Sequence, residues 1–262
     1  FGIISFFRKN KFINLLKTHK FFFFEEKDNF QIIKWYFPIT MRMRALKNYN
    51  NGLKERGERL AKFYNIDKIS FINEDIIIDC GSNLSDLLLY LGNLNINLQY
   101  HAIDPGKEEA EASKLNLRNK NFPKIVKKFY EYALGDKNEL KTFYYSPESA
   151  NSSLIISGDY KFSYNVNSIT LDKFALLANI SKNKIKLLKL EAEGLEPEIL
   201  LGAKNILSKI EYIAADLGPE RGINQKCTVA EVTSILMNNN FEMMNFGYPR
   251  ITAFYRDNKL KL

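Results

Sequence analysis

The chain has 262 residues, 45% of them hydrophobic, and a formal net charge of +8. Residues 1–62 carry 14 Lys and Arg against 5 Asp and Glu, whereas residues 63–262 carry 24 against 25. A length of this size suits one α/β domain with an appendage, and the uneven charge argues against a protein that coats nucleic acid along its whole surface.

Cysteine and histidine are scarce. The two cysteines, Cys80 and Cys227, lie 147 positions apart, and His19 and His101 are the only histidines. A disulfide scaffold and a His-rich zinc site are therefore excluded, and the reducing cytoplasm is the expected compartment. No apolar run reaches about 18 residues, so we predict no membrane-spanning helix, and the early Lys and Arg make a poor signal peptide.

The basic N-terminal segment, residues 1–62, is called the front end below, and residues 63–262 are called the body. The front end is also rich in aromatic residues, since half of the 20 Phe precede Pro38. We predict helical structure over 3–24, a short strand near 31–33 and an amphipathic helix over 40–64. Two interpretations stay open: a lid that packs its aromatics on the body, or an anchor on anionic lipid at the inner face of the membrane. An acidic substrate would suit either one.

Strands alternate with helices from residue 74 onward, which predicts a mostly parallel sheet covered on both faces. The predicted strands cover 76–78, 99–103, 129–134, 141–145, 185–190, 212–215, 241–246 and 251–255. The predicted helices cover 84–91, 107–119, 196–207 and 228–238. The last two strands have no helix between them and must be antiparallel. Such a terminal hairpin is typical of enzymes that use a nucleotide methyl donor.

The strongest local signal follows the first body strand. Gly81 allows a sharp turn close to a ligand, and Asp104, at the end of the next strand, suits the two hydroxyls of a ribose. Together they predict an adenosine at the carboxyl edge of the sheet. No G-x-G-x-x-G pattern is present, so a nicotinamide dehydrogenase is disfavoured.

Five stretches, taken in order, resemble the FkbM-type methyltransferases, which use S-adenosylmethionine and release S-adenosylhomocysteine. They are 79–85 (DCGSNLS), 132–136 (YALGD), 150–154 (ANSSL), 168–172 (SITLD) and 188–196 (LKLEAEGLE). The resemblance covers roughly residues 74–256. It implies a Rossmann-like class I methyltransferase sheet over 66–262, mostly parallel with a C-terminal antiparallel hairpin, plus a basic, mostly helical N-terminal extension over 1–65.

The resemblance also implies a donor site. Asp79 is expected near the methionine end of the donor and Asp104 at its ribose. The residues expected under and around the donor are Gly81, Ser82, Asn83, Ala133 and Leu134.

Methyl transfer to a hydroxyl requires a group that takes its proton, and a carboxylate at a strand end suits that role. We predict Glu191 and Glu193 as catalytic residues, with Glu191 facing the reacting centre and Glu193 shaping the loop or contacting the acceptor. The alternative is that these carboxylates cap the following helix. The predicted acceptor-side residues are Asn151, Ser153, Asp216 and Tyr248, and no metal is firmly implied.

Ser85 and Glu191 depart from the family pattern, which has glycine and aspartate there. The leading hypothesis is an O-methyltransferase acting on a hydroxyl of a saccharide, such as a surface polysaccharide, or of a related metabolite. The alternative is a weakened donor-binding module that serves as an interaction domain. Nucleic acid is not expected as a partner, because the motif needed for amino-group methylation of bases is missing.

Overall fold

The computed structural model describes residues 21–28, 31–38, 47–146, 152–156, 158 and 160–260. Its helices are α1 (Leu53–Phe63), α2 (Leu87–Asn93), α3 (Lys107–Leu117), α4 (Leu171–Leu177), α5 (Glu196–Leu201) and α6 (Val229–Asn238). The first six strands are β1 (Phe21–Asp28), β2 (Gln31–Pro38), β3 (Asp75–Cys80), β4 (Leu98–Ile103), β5 (Ile125–Tyr130) and β6 (Ala133–Gly135). The other six are β7 (Glu139–Tyr145), β8 (Phe162–Thr170), β9 (Ile185–Leu190), β10 (Ile210–Asp216), β11 (Phe241–Gly247) and β12 (Thr252–Asp257). Short 3-10 helices cover Lys47–Tyr49, Ile66–Lys68, Leu207–Lys209 and Asn258–Leu260.

The main sheet has seven strands in the order β11-β12-β10-β9-β3-β4-β5. Five of them run parallel, and β12 joins β10 antiparallel and then pairs with β11 in the terminal hairpin. The central strands β3 and β9 are buried along nearly their whole length, as expected of a sheet covered on both faces. The predicted mostly parallel sheet with a C-terminal antiparallel hairpin is therefore confirmed.

A second sheet of three strands, β6-β8-β7, departs from the prediction. The single strand predicted over 129–134 is wrong: β5 belongs to the main sheet, and β6 pairs with β8 in the small one. Lys127 and Lys128 hid the start of β5, which is a half-exposed edge strand. Strand β8 was missed because it is mostly polar and exposed at its start. Helix α4 was not predicted either.

The front end contains a β-hairpin where helix was predicted. Residues 21–24 begin strand β1, which pairs antiparallel with β2 over eight positions. A run of four Phe has high strand propensity, and pairing with a second aromatic segment satisfies its backbone. The helix predicted over 40–64 is present as α1, over Leu53–Phe63. Residues 3–20 and 39–46 lie outside the described residues, so the lid and the anchor both stay predictions.

No helix in the described ranges is long and apolar enough to cross a membrane.

The described part of the front end is anchored to the body by one buried carboxylate. Asp86 accepts hydrogen bonds from Trp35 Nε1 at 2.9 Å, Tyr49 Oη at 2.5 Å and Arg56 Nε at 2.8 Å. The aromatic rings of this group share a hydrophobic core with Leu53 and Ile77. Residues 35–38 and 47–66 thus contribute to the core on one face of the main sheet.

We expect Asp86→Ala to lower the free energy of unfolding by about 3 kcal/mol or more. The substitution leaves three donors, one of them charged, without their shared acceptor in a buried place. Urea unfolding followed by tryptophan fluorescence measures the loss, since Trp35 is the only tryptophan. The exposed Asp67→Ala is the control, and equal losses in both variants would contradict the anchoring role of Asp86.

Candidate functional site

A cleft opens at the carboxyl edge of the main sheet, above the ends of β3, β4 and β9. Parallel strands place their carboxyl ends at one edge, which is where open α/β sheets bind ligands. One wall comes from the main sheet and the other from the small sheet and the start of α5. The lining residues are Cys80, Gly81, Asn83, Ile103, Asp104, Pro105, Gly106, Glu109, Tyr132, Ala133, Leu134, Phe143, Ser152, Ser153, Leu154, Glu191, Ala192, Glu193, Leu195 and Ile199.

Gly81 makes the turn after β3. Its φ of +68° lies in the left-handed region, and its backbone runs directly against the chain after β9. A Cβ at this position would lie 1.8 Å from the carbonyl oxygen of Glu191. Glycine is therefore required here, both for its backbone angle and for the close approach of the two loops.

Asn83 and Ser85 are also left-handed, with φ of +47° and +62°. Glycine adopts this conformation without strain, which explains why the family pattern has glycine at the position of Ser85. Ser85 is fully buried and its hydroxyl is hydrogen-bonded to that of Ser113. Helix α2 begins at Leu87 rather than at the predicted residue 84, because a left-handed residue cannot continue a right-handed helix.

Asp104 sits at the end of β4 and faces the cleft. Its Oδ2 accepts the backbone N–H of Asn83 at 2.8 Å, and its Oδ1 accepts that of Gly106 at 2.9 Å. Each oxygen keeps a further lone pair for a ligand hydroxyl. Burial raises the pKa of Asp104 to about 6, against the lowering effect of the two N–H donors. Burial and the Asp104 charge raise the pKa of Glu109 to about 7.

Lys189 joins the two loops beneath the cleft. This lysine is 3% exposed, and its Nζ lies 3.0 Å from Asp79 Oδ1 and 3.0 Å from Glu191 Oε2. It also donates to the carbonyl of Gly81 at 2.9 Å. Asp79 in turn accepts a hydrogen bond from the buried Tyr100 hydroxyl. One cation thereby fixes both the turn after β3 and the start of the loop after β9.

Glu191 is held by a second cation on its other oxygen. Arg250 Nη2 lies 2.5 Å from Glu191 Oε1 and 2.5 Å from Asp216 Oδ2, and 3.0 Å from the hydroxyl of Tyr64. Burial alone would raise the pKa of Glu191, but Lys189 and Arg250 outweigh it, and its pKa lies at about 2. The side chain of Glu191 is one methylene longer than the aspartate of the family pattern, and it contacts Lys189 and Arg250 at the same time.

Glu193 lines the cleft from a left-handed position, with φ of +51°. Burial, and then the charge of Glu220, raise its pKa. The N-cap residue of α5 is Leu195, which makes no side-chain cap hydrogen bond. Glu196 holds the loop before the helix, since its Oε1 accepts the N–H groups of Ala192 at 2.9 Å and Gly194 at 3.2 Å.

The structure brings most of the predicted site residues to this cleft. Those that line it are Gly81, Asn83, Asp104, Ala133, Leu134, Ser153, Glu191 and Glu193. Four others lie outside its lining: Asp79 and Ser82 are buried beside the turn after β3, Asp216 holds Arg250, and Tyr248 is 87% exposed at the hairpin tip. Asn151 lies outside the described residues.

Sequence reasoning missed three residues of this site: Lys189, Tyr64 and Glu109. A signal existed for the first, since Lys189 interrupts a strand that is otherwise apolar at its buried end, where an unpaired lysine would be costly. Tyr64 follows a helix that gave no indication of its contact with the last hairpin.

Comparison with known proteins gives one family match. A family model described as the methyltransferase FkbM domain matches residues 79–243, well over half of the chain. The comparison with curated proteins finds no significant match.

Three solved structures show similarity at low identity. A SAM-dependent methyltransferase from Aquifex aeolicus is 11% identical, with a TM-score of 0.43, covering 78% of this chain and 97% of its own. Magnesium protoporphyrin IX methyltransferase from Synechocystis PCC 6803 with bound SAM is 11% identical, with a TM-score of 0.45, covering 82% and 85%. An rRNA methylase from Streptococcus thermophilus is 13% identical, with a TM-score of 0.42, covering 76% and 96%. These likenesses say nothing about the acceptor.

The family match begins at Asp79, near the end of β3, and extends to the first residues of β11. It thus includes every cleft-lining residue. The chain belongs to the FkbM methyltransferase family, whose members take their methyl group from S-adenosylmethionine.

Proposed function

We propose that this methyltransferase transfers the methyl group to a hydroxyl of a saccharide or a related metabolite. The observation that carries the proposal is one cleft with a carboxylate suited to a ribose, Asp104, at one side and, at the other, Glu193, whose side chain has no ion pair among the described residues. The alternative from the sequence, a donor-binding module without turnover, predicts binding alone.

The cleft fits S-adenosylmethionine. Gly81 and Asn83 line the cleft at the turn after β3, and the free lone pairs of Asp104 suit the ribose hydroxyls. Ala133 and Leu134, with Phe143, give an apolar wall suited to adenine. The carboxylates at the β9 end suit a positively charged sulfonium.

The bound donor supplies an activated methyl group, so the protein has to align the acceptor and take its proton. Glu191 suits the base role poorly, because two cations keep it ionised and a carboxylate of such low pKa binds a proton weakly. Its proposed role is to fix the loop geometry. Glu193 has a raised pKa and lines the same cleft, and we assign the proton transfer to it.

A polar acceptor is supported by the side of the cleft next to Glu193. Ser153 Oγ donates to the Glu193 carbonyl at 3.3 Å and accepts the N–H of Ile155 at 3.0 Å, so this serine is held in a fixed place. Ser152 lines the same part of the cleft. Hydroxyl and carboxyl groups in such an arrangement suit a ligand that carries several hydroxyls.

We expect donor affinity to weaken as the pH falls through about 6. Ribose hydroxyls donate to the ionised carboxylate of Asp104, whose pKa is raised to about 6 by burial, so protonation removes acceptor capacity. Calorimetric titration with S-adenosylhomocysteine between pH 5 and 8 measures this. In Asp104→Asn the affinity should be weak and nearly independent of pH, and a wild-type affinity that is flat across this range would contradict the ribose assignment.

The transfer itself is tested with methyl-labelled donor and a panel of acceptors. Methyl glycosides and oligosaccharides offer hydroxyls, while amino acids and nucleosides with free amino groups serve as the comparison. Label transferred to hydroxyl acceptors, and lost in Glu193→Gln while donor binding persists, supports the proposal. Donor binding with no transfer to any hydroxyl acceptor would favour the binding module instead.

A further inference from the structure

The loop that follows the turn at Gly81 has an unfavourable backbone conformation. Residues 83–86 are called the donor loop below, since Asn83 lines the cleft and its backbone N–H donates to Asp104, the carboxylate expected at the ribose. Asn83 and Ser85 both have positive φ. Left-handed backbone at residues other than glycine persists only where the surrounding structure fixes it. The contacts that fix the donor loop therefore decide whether the donor site is formed.

Helix α3 holds the donor loop from one side with two buried side chains. Ser113 and Asn116 are fully buried and three positions apart, so they lie on the same face of the helix. The hydroxyl of Ser113 is hydrogen-bonded to that of Ser85, and Asn116 Nδ2 donates to the carbonyl of Leu84 at 3.0 Å. Two successive residues of the donor loop are thus fixed by α3.

The same asparagine binds strand β2 of the front end. Asn116 Oδ1 accepts the backbone N–H of Tyr36 at 2.7 Å, and Asn116 Nδ2 donates to the carbonyl of Tyr36 at 3.2 Å. The amide side chain thereby pairs with both backbone groups of one β2 residue, as a residue of a neighbouring strand would. Since Nδ2 carries two N–H groups, Asn116 can bind Tyr36 and Leu84 at the same time. One side chain therefore joins β2 to the donor loop.

A second link to the donor loop comes from the preceding residue of β2. Trp35 Nε1 donates to Oδ1 of Asp86, the last residue of the donor loop, at 2.9 Å. Both side chains are buried, so water does not replace this hydrogen bond. Consecutive residues of β2 thus hold the donor loop by two routes, one direct and one through Asn116.

We propose that strand β2 is part of the donor site, and that Asn116 is a positioning residue through which β2 holds the donor loop in the conformation that binds S-adenosylmethionine. Asn116 is not among the residues that line the cleft, and it acts through Leu84 on the adjacent Asn83. The front end then completes the donor site, whatever contact it makes with an acceptor or a membrane. Because coupling between two sites is reciprocal, donor binding should also strengthen the docking of β2.

Calorimetric titration with S-adenosylhomocysteine tests this role with two matched variants and needs no acceptor. Asn116→Asp keeps the size of the side chain but loses the N–H groups that bind two buried carbonyls, so we expect the affinity to fall about tenfold or more. Asn119→Asp is the control. Asn119 Nδ2 donates to the carbonyl of Lys34 on the same strand at 3.3 Å, and none of its hydrogen bonds among the described residues reaches the donor loop. The affinity of this control should stay within about twofold of the wild type.

Hydrogen–deuterium exchange separates positioning from a general loss of stability. In the wild type, S-adenosylhomocysteine should slow exchange in the peptide that covers residues 33–38, and this protection should be lost in Asn116→Asp. A folded Asn116→Asp protein with wild-type affinity would overturn the inference, as would equal losses of affinity in both variants. Exchange at residues 33–38 that the ligand leaves unchanged in the wild type would overturn it too, and that result requires no variant to fold.

Discussion

Replacing Lys189 by methionine is expected to cost about 3–5 kcal/mol of stability and to abolish donor binding. The ammonium group is 3% exposed and compensates Asp79 and Glu191 at 3.0 Å each. Without it, two carboxylates remain at the floor of the cleft with one cation, Arg250, bound to the second of them. Breaking a buried ion pair by removing one partner carries a penalty of this size.

The same strand offers a matched control. Lys186 lies at the more exposed end of β9 and forms an ion pair with one carboxylate, Glu211, at 3.0 Å, whereas Lys189 pairs with two. Lys186→Met should therefore cost about 1 kcal/mol or less and leave donor binding intact. Urea unfolding and calorimetry with S-adenosylhomocysteine measure both properties. Similar losses in both lysine variants would show that Lys189 has no special role, and Lys189→Arg should recover part of the stability.

Gly81→Ala is expected to weaken donor binding by about 100-fold or more while the protein still folds. A Cβ there would lie 1.8 Å from a backbone oxygen of Glu191. The loops after β3 and β9 would have to move apart to make room for it, and this movement would open the floor of the cleft. The left-handed φ of +68° adds strain for any residue with a Cβ, of the order of 1 kcal/mol. A displacement of about 1 Å at such a loop has effects of this size on ligand alignment.

Gly158 provides the control, because a Cβ at that position meets nothing within 4 Å. Gly158→Ala should bind S-adenosylhomocysteine as the wild type does. Equal affinity of Gly81→Ala and the wild type would contradict the view that the close approach of the loops after β3 and β9 forms the donor site.

The buried strands were the most predictable part of the fold. Residues 185–190 match the prediction because a continuous apolar run suits a strand covered on both faces. Strand β8 could not be found in this way, since it has no continuous apolar run and only Ser168 and Ile169 are buried. Residues 21–24, predicted as the end of a helix, form a strand because they pair with residues 35–38, 11 to 17 positions further along the chain, and local pattern does not show such a partner.

The site residues also divide into those that local sequence predicts and those whose roles depend on distant partners. Gly81 and Asp104 were predictable because the chemistry of a nucleoside ligand dictates a glycine turn and a carboxylate at strand ends. The roles of Lys189 and Arg250 depend on contacts between residues that are far apart in sequence, such as the pair of Lys189 with Asp79 and that of Arg250 with Glu191. The different states of Glu191 and Glu193 come from these contacts, so two similar carboxylates in one motif could not be told apart from sequence.

The most direct measurement is a calorimetric titration of the wild-type protein and of Asp104→Ala with S-adenosylhomocysteine at pH 7.5. The structure predicts saturable binding at one site in the wild type and its loss in the variant, because Asp104 holds the turn after β3 and offers its remaining lone pairs to the ligand. No binding by the wild type, or unchanged binding by Asp104→Ala, would contradict the donor site described above.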